Sequence, residues 1–382
     1  MKNVLFLGII PMILFLASCE NKDTAPSTQV AFVEQYSAIV YQNYSDAYTK
    51  ALDLKVAIQA LVSQPSEKTL QLARKAWLDS RPVYLQTEAF RMYAGPIDND
   101  EGPEGRLNGW PLDESYVDYV QGAENAGIIN RPDLFPNITQ ELLAELNEKD
   151  GETNLSAGYH VIEFLLWGQD LNLVPGTSGQ RPYTDYVITT SGTGKHAARR
   201  AKYLQEAVEL LLSDLDYLKK AWEPGKDNFR KSFAESPFIA IRKVLNGLKD
   251  FTGAELGGER MAVALGTKDQ EDEHSCFSDN TNNDHLYDLI GIRNVYLGEY
   301  NTLSGSKIAG VGMSALVKAK KPELNTEIET LLTTIETQMR GFNMPFDEAI
   351  LIPSEREKIQ KTIDNLQLLS KKWLEAYDLV KE

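Results

Sequence analysis

Residues 156–170 read SAGYHVIEFLLWGQD, and this stretch constrains the fold more than any other. Val161, Ile162, Phe164, Leu165, Leu166 and Trp167 cover every side of a helix. A helix that is apolar all round is buried rather than laid on a surface, so other elements must enclose it. His160 and Glu163 are carried inside with it. A buried imidazole and carboxylate are costly unless a metal ion, a ligand or other side chains satisfy them. At i and i+3 the two project from one face. A His and a carboxylate at that spacing can share a metal, as the Glu-x-x-His pairs of di-iron bundles do in reverse order. Two ligands do not complete a site, and by itself the pair reads equally well as a buried hydrogen bond.

Helical periodicity supplies the enclosing elements. Phe32, Tyr36, Ile39, Ala47, Ala51, Leu54, Ile58 and Leu61 recur mostly at spacings of three or four. Leu70, Ala73, Trp77, Tyr84 and Leu85 continue the pattern, with a kink expected at Pro82. Tyr203 to Trp222 forms a third stripe. Ile359, Ile363, Leu366, Leu369, Trp373 and Tyr377 form a last one, where Ser354 and Glu357 read as a capping box after Pro353. Few runs alternate with period two, so the chain is expected to be all-α. The polar segment 223–232, with Pro and Gly, is a candidate boundary between two helical-bundle domains, 30–225 and 226–382.

The N-terminus is a targeting segment. An apolar run from Val4 to Leu16 ends in Leu-Ala-Ser-Cys, which resembles a bacterial lipoprotein signal. Residues 1–18 would be removed, Cys19 would carry lipid, and 19–29 would tether the protein to the membrane. The expected location is the cell envelope, anchored in the outer membrane on its periplasmic or surface face. With Cys19 acylated, Cys276 has no intrachain partner, so there is no disulfide framework. The formal net charge of −16 argues against nucleic acid as a partner and is compatible with attraction of cations.

Two long segments break the helical pattern, and such segments inside compact domains are often functional. Residues 95–114 hold Asp98, Glu101, Arg106 and Trp110. Residues 268–284 hold Glu273, His274, Cys276, Ser278, Asp279, Asn280 and Asp284. Carboxylates on loops are ordinarily solvated. If His160 and Glu163 bind a metal, however, the missing ligands should come from here, with Asp98, Glu101, Glu273, Asp279 and Asp284 the candidates. Arg106, Trp110, Ser278 and Asn280 are candidates for ligand contact. His196 and His285 read as isolated residues at the surface or at helix ends. There is no His-Glu-x-x-His, Gly-x-Ser-x-Gly or P-loop.

Gly158-x-His160-x-x-Glu163 resembles the GxHxxE signature of the imelysin-like proteins, also classed as peptidase family M75. GPID with the downstream LNGWPLDE, GAELGGERM (residues 253–261) and QEDEHSCFSDNT are similar to other motifs of that family. Tyr159 stands where many members have Trp. The resemblance runs from about residue 30 to the end. It implies two helical-bundle domains related by internal duplication, with a functional cleft near their interface. It also implies an exported, often iron-regulated protein linked to iron uptake, with outer-membrane iron-uptake components as expected partners.

The expected function is capture of iron, or of a small iron-bearing ligand, through His160, Glu163 and loop carboxylates, because Glu, Asp and His suit iron better than a soft metal. Zinc is another divalent ion this donor set could take. Two alternatives stay open. One is a metallopeptidase using the same residues, although zinc hydrolysis wants three protein ligands and an open position. The other is a non-metal ligand-binding protein whose His–Glu pair is purely structural.

Overall fold

The computed structural model describes residues 27–171 and 177–380; Cys19, the expected lipid attachment point, lies outside them. Among the described residues the chain is all-α apart from a short antiparallel hairpin, Glu299–Asn301 with Lys307–Ala309. No helix among the described residues is long and apolar enough to cross a membrane.

The first helix, α1 (Thr28–Ser63), is capped by the Ser27 hydroxyl, which accepts from Val30 N. It packs along α2 (Glu67–Leu85) and the helix Ala197–Ala221. A capping box formed by Ser66 and Thr69 starts α2. The helix runs through Pro82 and passes at Leu85 into a 3-10 turn, Gln86–Phe90. Pro82, where a kink is expected, therefore lies within the last turn of the helix, three residues before its end. The HxxE helix, Tyr159–Trp167, lies against α2 and Ala197–Ala221.

Beyond Trp222, helix Pro237–Asp250 continues without interruption into a π-helical stretch, Phe251–Ala262, which contains the GAELGGERM motif. Gly253 lets this stretch approach the last helix, Pro353–Leu379, because a Cβ there would stand 2.6 Å from the Ser370 hydroxyl. The last helix starts at Pro353 in the first helical position, with no side-chain cap. The expected Ser354–Glu357 box is therefore not formed: proline's fixed φ starts the helix one residue earlier. Helix Thr281–Leu297 packs against the 3-10 turn that ends α2. This contact brings the 268–284 loop over the HxxE helix. The buried apolar side chains form one continuous core.

Candidate functional site

Two glycines set the HxxE helix. Gly158 precedes it at φ +97° and Gly168 follows it at φ +73°, conformations that L side chains rarely adopt. Gly158 is also needed for space, since a Cβ would lie 2.8 Å from the Leu107 carbonyl oxygen. All nine residues between them are buried, as their composition requires. The helix's final carbonyls are satisfied from outside. Tyr186 OH donates to Leu165 O (2.6 Å), Arg74 Nε to Leu166 O (3.0 Å), and Arg181 N to Trp167 O (2.6 Å).

Within that enclosure His160 Nδ1 and Glu163 Oε2 are 2.9 Å apart. The other carboxylate oxygen accepts from Ser278 N (3.0 Å) and Ser278 Oγ (2.6 Å). Burial lowers the imidazole pKa well below its ordinary value, helped by the nearby His274. Burial also raises the Glu163 carboxyl, while the Ser278 donors and Arg81 pull it back toward the ionised form. His160 Nε2 is buried and has no hydrogen-bond partner.

A second dyad stands beside the first. The ring of His274 packs edge-on to that of His160, with centroids 4.7 Å apart. His274 Nδ1 lies 2.7 Å from Asp284 Oδ2. Asp284 also accepts from Ser275 Oγ (2.6 Å), Asn280 Nδ2 (2.8 Å) and Arg81 Nη2 (2.7 Å). Burial alone would raise the Asp284 carboxyl, but Arg81 and His274 hold it well below the usual carboxylate range. Burial and the charge of Arg260 push His274 down to about 4, so both imidazoles are neutral at physiological pH.

The neighbours of His274 assign its tautomer. Arg81 can only donate, and its Nη1 lies 2.7 Å from Asn108 Oδ1. The Asn108 amide nitrogen therefore faces His274 Nε2, at 3.4 Å. Nε2 then carries the lone pair and Nδ1–H donates to Asp284. The Asn108 contact is long enough to be a weak claim on that lone pair.

His274 and Asn108 open onto a cleft of about 430 Å³, also lined by Trp110, Arg91, Arg260 and Glu104. Arg260 bridges Glu88 (2.5 Å), Asp288 (2.9 Å) and Glu255 (2.9 Å). Arg91 binds Glu88 and Glu104. The cleft wall is thus a set of buried ion pairs, with several further carboxylates at its rim.

The expected site residues divide into three sets. His160, Glu163, Ser278, Asn280 and Asp284 come together, and Trp110 packs its ring 5.1 Å from that of His160. Asp98, Glu101 and Arg106 are engaged elsewhere or exposed. Asp98 accepts from the backbone amides of Met92, Tyr93 and Gly95. Glu101 is exposed, and Arg106 forms a two-pronged pair with Asp214. Glu273 and Asp279 belong to a separate acidic cluster. His285 is buried, with its ring against Phe346 and Nε2 3.3 Å from Arg260 O. His285 lies near the start of Thr281–Leu297, as a helix-end residue, but not at the surface, because Thr281, Asp284, His285 and Leu286 are on the buried side of that helix. Cys276 is a buried free thiol. Sequence reasoning missed Arg81 and Asn108 and gave His274 no part in the site. Arg81 was findable as one of two arginines, with Arg74, on the otherwise largely apolar face of α2.

The imelysin family profile matches residues 40–372. The chain belongs to the imelysin family. Two solved structures share its fold. One is an iron-regulated protein A precursor from Parabacteroides distasonis, with TM-score 0.70 and 18% identity, covering 94% of this chain and 97% of the other. The second is an imelysin-like protein from Psychrobacter arcticum, with TM-score 0.62 and 14% identity, covering 92% and 94%. A search of the curated proteins finds no match. The imelysin profile spans the HxxE helix and both irregular loops, so the paired dyads lie inside the matched region.

Proposed function

We propose that this imelysin-family protein is a lipid-anchored cell-envelope protein that captures iron, or a small iron-bearing ligand, at His160 and His274 and serves iron uptake. The observation that carries the reading is the orphaned, buried Nε2 of His160 beside a second imidazole whose Nε2 lone pair is weakly held. Metal-binding histidines commonly give their other ring nitrogen to a carboxylate, which fixes tautomer and orientation. Glu163 and Asp284 stand in that relation to His160 and His274. The carboxylates then orient the imidazoles, and the open positions on the ion are left for the incoming ligand. The acidic rim of the cleft favours approach of cations.

This arrangement favours binding over hydrolysis. Among the described residues, no group of three or more metal-type donors includes His160, whereas a zinc hydrolase wants three protein ligands. The name of the Parabacteroides relative, iron-regulated protein A precursor, agrees with an iron role.

Anaerobic calorimetry with ferrous iron tests the proposal. Wild type is expected to bind one ion per chain. His160→Ala and His274→Ala are each expected to weaken binding by at least the roughly 100-fold seen at the upper end for loss of an outer-shell partner, and Glu163→Gln by about 10–100-fold. Thermal melts of the same proteins separate lost affinity from lost fold. Unaltered affinity in folded variants would show that the histidines are structural.

A further inference from the structure

We propose that Asp170, Asp279 and Asp347 form a separate site for a hard divalent cation of the calcium class, with Glu273 beside them. The three carboxylates come from three different elements. Asp170 lies three residues beyond the HxxE helix, Asp279 is in the 268–284 loop, and Asp347 belongs to the short helix Phe346–Ala349. One ligand oxygen from each lies within 4.8 Å of the others.

Proximity of acids does not make a site, but Asp279, Asp347 and the neighbouring Glu273 also carry buried oxygens with no hydrogen-bond partner. Asp347 is 5% exposed and its Oδ1 is buried without a hydrogen-bond partner. Asp279 Oδ1 is in the same condition. Glu273 is 1% exposed, and neither of its oxygens has a donor in hydrogen-bonding geometry. Its neighbours by charge are Asp347 and Asp279, with the Thr281 hydroxyl in part offsetting them. Buried carboxylates are ordinarily paired or bound to a metal. Burial, with Asp347, Asp170 and Glu348 around it, pushes Asp279 up to about 7. A cation would supply the partner that these buried oxygens lack.

The donor set selects the ion. It is all oxygen, with neither imidazole nor thiolate, which suits calcium, magnesium or manganese. Donors drawn from three separate elements suit calcium's flexible coordination better than magnesium's strict octahedron, with water completing the shell. The consequence reaches the imidazole pair. Asp279 directly follows Ser278, whose two hydrogen bonds hold Glu163. A cation there clamps the loop carrying His274 and Ser278 onto the end of the HxxE helix. The site does not depend on the iron reading, and each can fail alone.

The test is titration of chelator-treated full-length protein with calcium chloride, and separately magnesium chloride, followed by calorimetry and thermal melting. One calcium per chain is expected, with a melting temperature that rises with calcium concentration. Asp279→Asn and Asp347→Asn are each expected to weaken calcium binding at least tenfold. Both should melt no lower than metal-free wild type, because an amide relieves repulsion among the acids. His160→Ala should still bind calcium. If Asp347→Asn does not fold, Asp279→Asn at its partly exposed loop position decides alone. Absence of any calcium or magnesium response in wild type overturns the proposal, as does calcium binding that survives the folded asparagine variants.

Discussion

Arg81→Met is expected to lower folding stability by about 3–5 kcal/mol, read as a fall in the urea midpoint at unchanged slope. Arg81 and Asp284 are both fully buried and 2.7 Å apart. The guanidinium also packs over Trp77 (5.3 Å) and Tyr159 (5.0 Å) and binds Asn108. Met retains most of the stem's apolar packing but leaves Asp284 as an uncompensated buried charge, which is where the cost arises. Adding Asp284→Asn should therefore recover part of the loss. Simply additive losses in the double variant would contradict this origin. The pH dependence has a definite sign. Because the Asp284 carboxyl is depressed in the fold, its contribution is complete above the unfolded value of about 3.9 and is lost as pH falls through the native one. The gap between wild type and Arg81→Met should narrow in acid.

Trp77→Ala should cost a similar amount, about 3–5 kcal/mol. Trp77 is fully buried, meets Trp167 edge-on with ring centroids 5.4 Å apart, and donates Nε1–H to the Tyr159 carbonyl (2.9 Å). It therefore grips both ends of the HxxE helix. Trp77→Phe keeps much of the apolar area and loses the hydrogen bond, which should cost about 1 kcal/mol for that bond plus the smaller ring's deficit in packing. Equal destabilisation by the two substitutions, measured in urea, would show that the hydrogen bond and not packing dominates. Because Trp77 positions His160 through the helix, iron affinity should fall further in the alanine variant than in the phenylalanine one.

The architecture was legible because its signals are periodic and local. The stripes of α1, Ala197–Ala221 and Pro353–Leu379 are the faces that pack. The all-round apolar run at 159–167 is buried, as it had to be. Boundaries were less legible: α2 ends three residues past Pro82, and Pro353 replaces the expected capping box. The site was half legible. His160 and Glu163 drew attention because polar groups inside an apolar helix must be satisfied. Their partners are set by long-range packing that leaves no local pattern. Arg81 and Asp284 meet across some two hundred residues of chain. Asp98 looked like a ligand because loop carboxylates carry the same atoms whether they bind an ion or, as here, backbone amides.

X-ray absorption at the iron edge tests the paired-imidazole account most directly. The protein is first saturated with calcium to fill the oxygen-only cluster, then loaded anaerobically with one equivalent of ferrous iron. The account predicts imidazole scattering from two histidines per iron in wild type, falling to one in His274→Ala or His160→Ala if any iron is retained. A first shell of oxygen alone in wild type, unchanged in those variants, would contradict it.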